Sequence, residues 1–112
     1  MIRIVLYLNS RRCITKVSVD GHAVRGDSGN SVPCAAVSAL TGTAARLISS
    51  NEDIVGSGSA DVPGMMVLNV EKVEDRSIKW LQGITDFLVI GLTEVEREYP
   101  SECSVVMNIQ ED

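Results

Sequence analysis

The chain's 112 residues, 45% of them hydrophobic, suffice for one core and are too few for two, so a single domain spanning 1–112 is expected. Ten Lys and Arg stand against fifteen Asp and Glu, a formal net charge of −5, and only four residues are aromatic; such a surface repels phosphate backbones, offers no stacking platform and argues against nucleic acid as a direct ligand. Cys13, Cys34 and Cys103, scattered and odd in number, make neither a disulfide framework nor, with one histidine, a metal-ligand set, so no metal and no cofactor is expected and a reducing, cytoplasmic compartment fits.

Ile2, Ile4, Leu6 and Leu8 alternate with Arg3, Val5 and Tyr7, the period of a strand with one buried face. The apolar start runs into "NSRR", the reverse of a secretory signal, in which positive charge comes first. Across that polar turn Thr15, Val17 and Val19 alternate with Lys16, Ser18 and Asp20, so residues 2–20 read as an antiparallel hairpin ended by Gly21. From Pro33 to about Ser50 the period becomes helical, with Val37, Leu40, Ala44, Leu47 and Ile48 on one side, and Pro33 suits a first helical residue. The stretch "SSNEDIVGSGSADVPG", 49–64, is dense in turn formers and reads as a loop.

Met66, Leu68 and Val70 then alternate as a third strand. Ser77 is a plausible N-cap for a second helix carrying Ile78, Leu81, Ile84, Leu88, Leu92 and Val95 on its apolar side and stopping before Pro100. Trp80 and Phe87, seven apart, suit packing or oligomer contacts. The run "FLVIGL", Phe87 to Leu92, is far short of the ~20 helical residues that cross a bilayer, so no membrane association is expected. Val105, Met107 and Ile109 make a closing strand. The order β-β-α-β-α-β predicts an α+β fold, a two-layer α/β sandwich with a mixed, largely antiparallel sheet and both helices on one face.

The stretch from 21 to 38, "GHAVRGDSGNSVPCAAVS", concentrates the chemistry. Cys34 falls in the first turn of the first helix, where roughly half a positive charge favours an anion and holds a thiol below its free pKa of about 8.5. Ser38 is one turn further along the same face, within reach of the sulfur or a reacting group. His22, at the end of the hairpin, would complete a Cys/His pair able to attack a carbonyl, and the same amides that favour a thiolate could receive an oxyanion. The plainer alternative is that Cys34 is a small buried hydrophobe and His22 an ordinary surface histidine. Asp27 is either a solvated turn residue or an orienter of the histidine, and Cys13 and Cys103 have no comparable setting.

"GHA" followed by "CAAVSAL", with eleven residues between His22 and Cys34, resembles the signature of the ribosomal-processing cysteine proteases, the Prp family. The resemblance implies that His22 is the general base, Cys34 the nucleophile and Ser38 a supporting serine, with Gly21 and Ala23 completing the GHA turn. It further implies a homodimeric α/β sandwich that removes a short N-terminal extension from large-subunit ribosomal protein twenty-seven, a basic protein, cutting after an aromatic residue. The chain departs from the family where an aspartate and two apolar residues usually precede the cysteine. Here stand Ser31, Val32 and Pro33, so the helix start keeps a side-chain acceptor and lacks a negative charge. Arg25 and Ser28 occupy loop positions where the family commonly has aromatic residues. A non-catalytic module that binds a ribosomal protein or an assembly factor through the same groove is the alternative function.

Overall fold

A computed structural model describes residues 1–21, 31–60 and 64–110. The chain forms β1 (Ile2–Leu8), β2 (Ile14–Asp20), α1 (Val32–Ser50), β3 (Ile54–Ser59), β4 (Met65–Val73), a 3₁₀ turn (Asp75–Ser77), α2 (Ile78–Glu98) and β5 (Cys103–Ile109). The five strands make one sheet in the order β3-β4-β2-β1-β5, antiparallel except for the β1–β5 pair.

The hairpin, both helices and the strands at β4 and β5 form where periodicity places them. The fifth strand is a correction: residues 54–59 lie inside the expected loop and pair with β4, Ile54 opposite Val73 and Ser59 opposite Val67. Gly56, Ser57, Gly58 and Ser59 read as turn formers, and β3 is an edge strand without a fully buried residue, so it has no inside-outside alternation to detect.

Two crossovers build the sandwich. The β2-α1-β3 connection passes over β4, and β4-α2-β5 runs the opposite way past β2 and β1 from an oppositely directed strand. Right-handed crossovers of that kind put both helices on one face. The helices touch at Gly91, where a β-carbon would stand 3.1 Å from Leu40 Cδ2. Between the layers Ile2, Ile4, Leu6 and Leu8 meet Leu81, Leu88 and Leu92. A register shift between Tyr7 and Leu8 sets Ile14 opposite Leu8, so Ile14 is buried where simple alternation predicts Thr15. On the sheet's other face Lys16 Nζ lies 5.5 Å from the centre of its cross-strand partner Tyr7.

Two threonines take core positions that the apolar period does not assign. Thr41 Oγ1 donates to Val37 O at 2.8 Å, and Thr85 Oγ1 donates to Leu81 O at 2.8 Å while accepting from Ile14 N at 2.9 Å. Their hydroxyls are satisfied by the preceding helical turn, which makes burial affordable. Leu47, expected inside, is instead 39% exposed, because Thr41, Ala44 and Ile48 already fill the buried side of α1. α1 is 19 residues long and apolar enough by length and composition to cross a bilayer, a property it shares with core helices of soluble proteins.

Candidate active site

Val32 is the first residue of α1 and Pro33 the second, one position later than expected. Ser31 is the N-cap: its hydroxyl accepts the Cys34 N–H at 3.2 Å, and its carbonyl accepts the Ala35 N–H at 3.0 Å. A side-chain cap of this kind contributes about 1 kcal/mol. It also uses an amide that the sequence left available for an oxyanion. Pro33 has no N–H, so Val32 is the first-turn residue whose amide neither the helix nor its cap employs.

Cys34 sits in this first turn, 8% exposed, at one end of a cavity of about 750 Å³ between α1 and the β3–β4 side of the sheet. The helix wall is a stripe of small side chains, Cys34, Ser38, Thr41, Gly42, Ala45 and Ser49. Gly56, Gly58, Met66 and Leu68 line the sheet side. Ser38 borders the groove one turn beyond the sulfur and makes no hydrogen bond to it. Trp80 and Phe87 do not line the cavity; they are 37% and 42% exposed on α2.

Gly21 lines the groove at the Cys34 end. Its φ of +99° lies in the left-handed region, and a β-carbon there would collide with the Met1 carbonyl, so backbone geometry demands glycine. Its N–H donates to Gly64 O at 2.7 Å, joining the end of β2 to the approach to β4. His22, Ala23, Arg25, Asp27 and Ser28 lie outside the described residues.

The other two cysteines are each 1% exposed. Burial pushes the Cys13 thiol up, opposed by the positive charges of Arg11 and Arg12. Cys103 is pushed up by burial first, then by Glu96 and by Cys34. Neutral, enclosed thiols make poor nucleophiles. Away from the groove, Asp53 after α1 binds Arg76 through both carboxylate oxygens, at 2.6 and 2.9 Å, and accepts the Ser77 hydroxyl at 2.6 Å. Ser77 therefore stands at the start of α2 without capping it, its hydroxyl being committed to Asp53. The sequence singled out neither Asp53 nor the groove's small-residue walls; the i, i+4, i+7 spacing of Cys34, Ser38 and Thr41 was the available signal for the walls.

Comparison with known proteins bears on the fold and the family. The chain resembles a crystal structure of the essential ribosomal processing protease Prp from S. aureus with a covalently linked product peptide, at a TM-score of 0.80 and 23% identity, covering 96% of this chain and 100% of that one. A structure of the same protease with a substrate peptide superposes at 0.75 and 22% identity, over 96% and 100%. A Streptococcus mutans protein, SMU.848, superposes at 0.79 and 21% identity, over 98% and 96%. These likenesses establish the shared fold. No curated protein sequence matches the chain. The family model of the cysteine protease Prp matches residues 1–104, nearly the whole chain, and the protein belongs to that family.

Proposed function

We propose that the chain is a cysteine endopeptidase acting on the N-terminal extension of large-subunit ribosomal protein twenty-seven. The observation that carries this reading is the placement of Cys34: a first-turn cysteine opening onto a groove long enough for a peptide, in a chain of the Prp family. His22 takes the proton from Cys34 Sγ, the thiolate attacks the scissile carbonyl, and the oxyanion forms in the positive field of the α1 N-terminus. Collapse releases the amine, which receives the proton from His22, and water then hydrolyses the thioester. Support for His22 comes from its neighbour in sequence, Gly21, which lines the same groove as Cys34. The net charge of −5 steers a basic substrate toward the protein at low salt. The protein acts in the cytoplasm as a homodimer, and Trp80, Phe87 and Ile90, exposed on one helix, supply apolar surface for a second copy.

Cys34→Ala and His22→Ala should each leave the circular dichroism spectrum unchanged and abolish cleavage of the extended ribosomal protein. Normal cleavage by either variant excludes the mechanism. One observation favours a second reading, a module that binds the same arm without cutting it: the Ser31 cap occupies the Cys34 amide and brings no negative charge to the site. Tight capture of the extended protein by the intact chain, with no processing over hours, would select that reading, and turnover would reject it.

A further inference from the structure

Among the described residues lining the groove, Arg46 alone carries a formal charge; the rest are apolar, glycine, serine or threonine. Arg11, Arg12, Arg76 and Arg97 each reach a carboxylate, whereas Arg3 and Arg46 pair with none among the described residues, and of these two only Arg46, exposed on α1, borders the groove. In a chain with fifteen acidic residues, a cation bordering a cavity with no carboxylate among its described lining residues is a conspicuous arrangement.

Its distance from the sulfur gives the arrangement a register. Arg46 is twelve residues beyond Cys34 on α1, about 18 Å at 1.5 Å per residue. An extended peptide advances roughly 3.3–3.6 Å per residue, so one lying along the groove with its scissile bond at Cys34 brings its fifth residue or so to Arg46. The guanidinium's planar fork matches a carboxylate, and its positive charge repels a Lys or Arg of the peptide brought to that point.

We propose that Arg46 is a specificity-determining residue that binds a peptide carboxylate about five residues from the scissile bond and rejects a basic side chain there. The inference rests on the groove being the peptide site. Its effect on a basic protein is to set the register: the charged body stays outside, and only a segment with an Asp, a Glu or no charge at that position enters.

The test uses fluorescent peptides built on the cleavage region of the extended ribosomal protein, with Asp, Asn or Lys walked from three to seven residues away on each side of the scissile bond. Binding is read by anisotropy against the full chain carrying Cys34→Ala, which separates recognition from turnover. At one position near five, on one side, Asp should bind about tenfold more tightly than Lys, and Arg46→Glu in the same background should invert that preference. A series that is flat at every position, that binds nothing, or whose preference survives Arg46→Glu unchanged overturns the proposal. Cleavage of the Asn peptides by the chain with Cys34 intact is scored separately. An Arg46-dependent preference without cleavage removes the protease reading and keeps this one; cleavage without the preference does the reverse.

Discussion

The two sides of the sheet obey the same architecture and end differently. Toward β1, branched side chains from both layers interlock: Ile4 and Leu6 from the sheet, Leu81, Leu88 and Leu92 from α2, all at 1% exposure or less. Toward β3 and β4, α1 and the sheet present Gly42, Ala45, Gly56 and Gly58 to each other, and about 750 Å³ stays open. Side-chain size at facing positions decides between core and groove, since interiors pack to crystal-like density where the volumes are sufficient. The nucleophilic candidate lies where the two regimes meet: Cys34 belongs to the buried cluster and also lines the cavity.

The largest effect is expected on the packed side. Leu88→Ala removes a side chain with no exposed surface and should lower unfolding free energy by about 2–5 kcal/mol, read by urea denaturation. A cost below 1 kcal/mol would mean that this region is as loosely filled as the other. On the open side the contrast reverses. A β-carbon at Gly58 meets Val67 O at 3.4 Å and Leu68 Cδ1 at 3.8 Å, ordinary contacts, so Gly58→Val should leave the melting temperature intact. It should weaken peptide binding to the Cys34→Ala chain by about tenfold through occupation of the groove, and unaltered binding would place the peptide elsewhere.

The smallest effect concerns the clamp between the turn after α1 and the start of α2. Hydrogen bonds from Arg76 and Ser77 hold Asp53 below the ordinary carboxylate value of 3.8. A pKa lower in the folded than in the unfolded state gives stability that is present above the unfolded value and lost as pH falls through the folded one. Acid unfolding below about pH 4 should therefore be shallower in Asp53→Asn than in the parent. Identical acid limbs would show that the clamp adds nothing.

The same contrast explains what the sequence disclosed. Alternation in β1 and the helical period in α2 are legible because each element has one face against a dense layer. β3 escaped detection because it borders empty space, and residues chosen for smallness resemble residues chosen for turning. Thr85 escaped because a threonine's fitness for a core lies in a carbonyl four residues back, which hydropathy does not register. At the site, the spacing of GHA and CAAVS indicated Cys34, and Ser31 as a backbone acceptor was readable from its type. The allocation of the Cys34 amide to that acceptor, and the position of Arg46 as the one charge among the described groove residues, follow only from the folded structure.

The parallel β1–β5 pairing bears on how the molecule assembles. Ile2 lies beside Cys103 and Leu8 beside Ile109, so every partner pair is 101 positions apart, the longest separation in the sheet. Closing such a loop costs entropy before any contact repays it, which makes non-local pairing slow. During synthesis the β1–β2 hairpin can form early, yet β1 keeps an open edge until residues 103–109 emerge. Maturation of the enzyme is thus timed by its final strand.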